Sequence, residues 1–190
     1  MSEMTQTQLK RPMRADARRN YDKLVETARE LYTAEGTSVP LEEIAKRADV
    51  GIGTLYRHFP TRQALLEAVY AEEIQKIADA AEALADREPW DALTTWLRQY
   101  VGFAATKKVL AEALLETAPE SDVLAGCRAT LLSAGNGLVE RAQAAGVVRP
   151  DTTFTDVGRL ISGVAVVPTV DAEQRDRLIE LALDGLRYTG

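Results

Sequence analysis

Apolar residues recur at intervals of three and four along almost all of this 190-residue chain, and nowhere do they alternate for more than a few residues as a half-buried strand requires. An all-α fold is therefore expected. Ala17, Tyr21, Leu24, Ala28 and Leu31 step down one face, and Gly36 supplies a left-handed residue to end that helix. Pro40, placed in a first turn, opens a short pattern of Leu41, Ile44, Ala45 and Ala48. After Asp49-Val50-Gly51 an equally short one runs through Ile52, Leu55 and Phe59 until Pro60 stops it. Thr61 can cap a fourth helix whose apolar positions Leu65, Val69, Ile77, Ala81 and Leu84 carry it to about residue 85, roughly 35 Å at 1.5 Å per residue. Further helical patterns lie near 90–106, 108–117, 121–145, 153–167 and 172–188, separated by Pro119, by Gly146 to Pro150 and by Pro168. The domain boundaries that follow are a small helical domain at 14–60, a joining helix near 61–85, and a second helical domain at 86–190.

Composition removes whole classes of function. A single cysteine, Cys127, and a single histidine, His58, exclude a disulfide framework, a multi-thiolate zinc site and any site that needs two imidazoles. With no phosphate-cradling glycine loop and no G-x-S-x-G elbow, neither an enzyme, a metal nor a cofactor is expected. The longest apolar run, 161–167, is seven residues and contains Ser162 and Gly163, too short for a membrane span. Lys10, Arg11 and Arg14 have no apolar stretch behind them, so no secretory signal and a cytoplasmic location are expected. The net charge of −6 is unevenly distributed: residues 1–62 hold 11 basic and 9 acidic side chains, residues 63–190 hold 12 and 20. The basic excess sits between Lys10 and Arg29, suited either to an anionic partner such as nucleic acid or to simple solvation.

Two short amphipathic helices joined by a tight turn and braced by a longer preceding helix form a helix-turn-helix pattern, with the second short helix as reader. Ile52, Leu55 and Phe59 would anchor its inner side and leave Gly53, Thr54, Tyr56, Arg57 and His58 outward and flanking. Through Leu41-Glu42-Glu43-Ile44-Ala45, Val50, Gly53-Thr54-Leu55-Tyr56-Arg57-His58-Phe59, Arg62, Ala64 and Leu65 the sequence resembles the TetR family of bacterial transcription regulators. The segment VGIGTLYRHFPTR is similar to an actinobacterial branch of that family. The chain departs from the family pattern at Asp49, where many relatives carry Gly, and at Gly51, where a capping Ser or Thr is common.

The resemblance implies a homodimer with one recognition helix in each of two successive major grooves of double-stranded operator DNA. It implies phosphate contacts for Tyr56 and His58 and a phosphate or base contact for Thr54. Thr61 and Arg62 at the start of the fourth helix offer a phosphate site, or Arg62 forms a surface ion pair. Arg57 either reads guanine O6 and N7 or is solvated. Arg18, Arg19 and Ser38 complete the DNA-binding candidates. Because 51–53 provide few hydrogen-bonding side chains, shape readout and thymine-methyl contacts are expected to carry much of the specificity.

In the second domain Trp96, Tyr100 and Phe103 either pack as core or line a cavity for a small-molecule effector, with Arg128 and Leu131 from the 121–145 helix. Arg128 shares an apolar stripe, so it needs a partner, either Glu112 or Glu116 or an anionic ligand. Cys127 reads as a small core residue. The patterns holding Val157, Leu160, Ile161, Val164 and Val167, and Leu178, Leu181, Ala182 and Leu186, are more apolar than one small domain can cover; the resemblance implies a four-helix dimer interface there. The functional expectation is a ligand-responsive regulator, most simply a repressor released by an effector. The alternative is a DNA-binding dimer with no small-molecule effector.

Overall fold

The computed structural model describes residues 4–117, 121–168 and 171–188, and within them the side chains of 15–104, 110–116, 121–168 and 171–188. The helices in chain order are α1 (Met4–Glu35), α2 (Leu41–Arg47), α3 (Ile52–His58), α4 (Arg62–Glu82), α5 (Pro89–Thr117), α6 (Asp122–Ala144), α7 (Phe154–Val166) and α8 (Ala172–Asp184). Among the described residues the backbone forms no strand, only an isolated bridge between Val148 and Arg187. The expected segments near 90–106 and 108–117 are one continuous helix, since nothing between them breaks the backbone ladder.

The helix ends follow local chemistry. Gly36 adopts φ 86° after α1, as its position predicts. Pro40 sits one residue earlier than expected, as the residue before α2 rather than inside its first turn, with φ −60° and ψ 141°. Its carbonyl accepts from the amides of Glu43 and Ile44. Thr61 Oγ1 accepts from Ala64 N at 3.1 Å and so caps α4. At α7, Thr153 and Asp156 satisfy each other's backbone amides in a capping box, and Asp171 caps α8 through Gln174 N at 2.7 Å.

The chain divides into two compact units inside α4. One comprises the helices up to Val69 together with the end of α5 from Glu112; the other comprises Tyr70–Ala111 and α6 to α8. The first two turns of α4 therefore belong with the small helical head. In the first unit Leu24, Val25, Ala28 and Leu31 of α1, Leu41, Ile44 and Ala45 of α2, and Leu55 of α3 are buried together with Phe59, Leu65 and Val69. In the second, Ile74, Leu93, Trp96, Leu97, Phe154, Ile161 and Leu183 are buried. There α6 and α7 meet where Gly135 faces the ring of Phe154, so a methyl group at Gly135 would overlap that ring.

This close approach gives a paired prediction. Gly135→Ala forces the Phe154 ring aside and costs about 1–3 kcal/mol by overpacking. Gly126→Ala on the same helix meets nothing within 4 Å and gains about 0.5–1 kcal/mol from helix propensity. Urea denaturation of the two variants checks both signs.

Candidate nucleic-acid interface

The reader helix is placed by the turn that precedes it. Asp49 takes φ 53°, the left-handed conformation that Asp tolerates, and Val50 N returns to Ala45 O at 3.0 Å. Gly51 then precedes α3 without a side-chain cap, its carbonyl accepting from Thr54 N at 2.8 Å and Leu55 N at 3.1 Å. Leu55 is fully buried, and Phe59 closes the other end 5.1 Å from the ring of Tyr21 on α1.

With Leu55 inward, the helical repeat turns Tyr56 and Arg57 to solvent, Tyr56 being 44% exposed. Thr54 and His58 are half-buried at the flanks. The His58 ring lies 6.0 Å from Tyr21, edge to face, and 6.1 Å from Phe59, so the imidazole is held by aromatic neighbours. Ile52 departs from expectation: it is 40% exposed, not an inner anchor. Side chains lean toward a helix's N-terminus, so a first-residue side chain projects past the end of α3, where its own helix offers no further turn to lie on. Ile52, Tyr56 and Arg57 thus form the outward row. The apolar spacing of Ile52 with Leu55 concealed this, because spacing alone does not mark a helix's first residue.

The remaining candidates are spread around this row. Ser38 is exposed in the α1–α2 loop, and Thr61 is exposed while capping α4. Arg18 pairs with Asp22 at 2.9 Å and lies over the Tyr21 ring at 5.8 Å, and Arg19 pairs with Asp16. Both pairs are exposed, where such contacts contribute at most about 1 kcal/mol, so exchange for a phosphate is cheap. Arg62 is the exception among the cations. Instead of facing solvent or a carboxylate, its Nη1 donates to Thr37 O at 2.7 Å and Val39 O at 2.6 Å.

The effector candidates of the second unit lie mostly among its packed rings. Trp96 is fully buried, its indole N–H donating to Ile77 O at 2.7 Å and its ring stacked on Tyr100 with centroids 5.6 Å apart and 5.4 Å from Phe154. The Tyr100 hydroxyl lies 3.3 Å from Ser162 Oγ, and Phe103 packs on Tyr100 at 5.7 Å. Leu131 and Cys127 are buried, whereas Arg128, on the same apolar stripe, is exposed. At the second turn of α6 the stripe lies at the edge of the packed face, and its guanidinium reaches water. Burial pushes the Tyr70 phenol above its ordinary value, with the Cys127 thiol and the Tyr100 phenol adding to the effect. An open cleft of about 570 Å³ lies elsewhere in this unit, lined by Gln75, Ala78, Glu82, Ser133, Gly137 and Arg141 among others. A smaller one of about 270 Å³ includes Phe103 with Lys76 and Gln99.

A bundle that packs one face of a two-turn helix and presents the other defines a helix-turn-helix DNA-binding protein. Residues 24–69 match the family model for bacterial regulatory proteins of the tetR family, and residues 88–188 match the C-terminal domain of SbtR-like transcriptional regulators. The chain belongs to the TetR family of transcription regulators. In solved structures it is similar to the TetR transcriptional regulator SCO0520 from Streptomyces coelicolor, at 38% identity over 90% of this chain and 99% of that one, TM-score 0.74. A TetR regulator from Mycobacterium vanbaalenii is similar at 37% identity over 93% and 99%, also with TM-score 0.74. Among curated proteins, the repressor KstR of Rhodococcus jostii (strain RHA1) is 32% identical over 77 residues, 40% of this chain and 36% of that protein. The chain thus spans about a third of the length of the curated relatives it matches. Regulators of this family bind operator DNA, act as dimers and are not enzymes. Among the described residues no helix is long and apolar enough to cross a membrane.

Arg57 is the cation of the outward row. Arg57→Ala is expected to cost about 1–3 kcal/mol on the preferred DNA sequence, to relax selection at one base pair and to leave binding to random DNA nearly unchanged. Fluorescence titration on both duplexes decides it, and equal losses on both would make Arg57 a backbone contact.

Proposed function

We propose that this chain is a homodimeric repressor whose α3 helices enter two successive major grooves, about 34–36 Å apart, and which a small molecule releases from DNA. The observation that carries the DNA-reading part is the outward row Ile52, Tyr56 and Arg57 on a helix whose opposite side is held by fully buried Leu55. In this reading Tyr56, His58, Thr54, Thr61, Ser38, Arg18 and Arg19 serve phosphates, Arg57 reads guanine, and Ile52 contacts a thymine methyl group. The name of the Rhodococcus relative supports repression. Acting on operator DNA, the protein works in the cytoplasm.

For the dimer, the support is an apolar face left on α7 and α8: Leu160, Val166 and Val167 are about half exposed and Leu181 is 68% exposed. A soluble chain rarely presents that much aliphatic surface on adjacent helices without a partner. Since α7 and α8 also pack on one another, two copies complete a four-helix interface. For release, the α4–α6 cleft is the better support, because Trp96 and Tyr100 are occupied in the core. Its walls combine alanine and glycine with the polar groups of Gln75, Thr130, Ser133 and Arg141, suited to a small, mostly apolar molecule with a few oxygen atoms. An effector that reverses the bound population from 99:1 to 1:99 must favour the released state by about 5.5 kcal/mol.

Two measurements test this reading. Leu181→Asp places a carboxylate that a monomer tolerates in water but an interface cannot solvate, so sedimentation should show monomers with unchanged helicity; a fully dimeric variant places the interface elsewhere. A thermal-shift screen should yield a ligand whose affinity falls on saturation with operator DNA by the factor that it weakens DNA binding, by reciprocity. A screen that yields no such ligand favours the effector-free regulator.

A further inference from the structure

We infer that Arg62 is a positioning residue for DNA reading: its guanidinium ties the α1–α2 loop to the start of α4 and thereby fixes the pose of α3, in place of contacting phosphate. Arg62 is the first residue of α4, reached from the end of α3 through Phe59-Pro60-Thr61. Its Nη1 donates to Thr37 O and Val39 O, acceptors 25 and 23 residues earlier in the chain and immediately before α2. Among the described residues neither carbonyl receives a backbone amide, and Pro40 has no N–H to close a turn onto Thr37 O. One nitrogen thus closes a ring around α2 and α3, from the loop before α2 to the first residue of α4.

The contact is part-buried, and the charge faces inward. Beneath it Tyr32 is buried, its hydroxyl without a hydrogen-bond partner among the described residues. Burial raises that phenol's pKa, and the neighbouring Arg62 charge works in the opposite direction. Both Nη1 hydrogens are committed to these carbonyls, so a phosphate that drew Nη1 away would leave two part-buried acceptors without a donor. By contrast, Arg18 and Arg19 give up only exposed ion pairs. Arg62 acts through α2 and α3 by holding them, and Ile52, Tyr56 and Arg57 do the reading.

This inference rests on α3 being the DNA reader, and the experiment separates the two. The probes are a duplex enriched from a randomised pool by the wild-type protein and an unrelated duplex, titrated by fluorescence anisotropy at several salt concentrations. Arg62→Ala is expected to weaken the enriched duplex about ten-fold or more, by mis-setting base contacts, and the unrelated duplex less than about two-fold. The slope of log K against log salt should stay unchanged on both, and amide exchange in the 37–40 loop should accelerate. Equal losses on both duplexes with a slope reduced by about one would make Arg62 a phosphate contact and overturn the inference. So would wild-type discrimination in a folded Arg62→Ala protein. If that variant does not fold, Arg62→Lys keeps the charge but not the guanidinium's reach; loss of discrimination supports positioning, and wild-type discrimination overturns it. If the wild type enriches no sequence, the DNA-reading assignment fails, and this inference with it.

Discussion

A seven-residue helix cannot hold its own shape in water, because nucleating one turn fixes three residues for a single hydrogen bond. The shape of α3 therefore depends on the burial of Leu55 and Phe59. Those two side chains convert a marginal helix into a fixed one, and α1 and α2 exist in this unit largely to receive them. The same constraint explains the left-handed Asp49. A turn of only four residues between α2 and α3 must reverse sharply to bring Leu55 inward, and one residue beyond the ordinary allowed regions accomplishes that.

An acidic protein that binds a polyanion has to solve an electrostatic problem locally. The first 62 residues carry a slight positive excess while the remainder is acidic, and the cations of α1 and α2 are distributed among exposed pairs such as Arg18–Asp22 and Arg47–Glu43. Such pairs are weak individually, which keeps the helices folded and soluble without DNA yet leaves the guanidinium groups free to exchange partners. Release of counterions from the duplex then supplies much of the affinity without conveying sequence. On α3 a guanidinium, a phenol and an aliphatic side chain share one exposed face.

In the second unit the aromatic residues pack on one another. Trp96, Tyr100, Phe103 and Phe154 form a chain of ring contacts, and the one indole N–H is satisfied by a backbone carbonyl of α4. That arrangement makes α4 a structural partner of α5 within this unit while its first turns belong to the reading unit. A single continuous helix thus participates in both cores, so a displacement imposed at one end has a covalent route to the other.

Much of this was legible in the chain itself. Helical periodicity specified the all-α class, Gly36, Pro60 and Thr61 marked real helix ends, and the run from Gly53 to Phe59 carried the family resemblance, because each of these is a local property of backbone or a short side-chain pattern. What the sequence could not convey was which atoms meet across distance. Ile52 has the spacing of a core residue but stands at a helix start with nothing above it; Arg128 sits on an apolar stripe but at its solvent edge. Trp96 is equally consistent with core and cavity until its neighbours are known. Arg62 looks like a surface cation until Thr37 and Val39, far back in the chain, bring their carbonyls to it. Local propensity and periodicity fix elements, whereas burial and partner choice are decided only when non-adjacent segments compete for the same space.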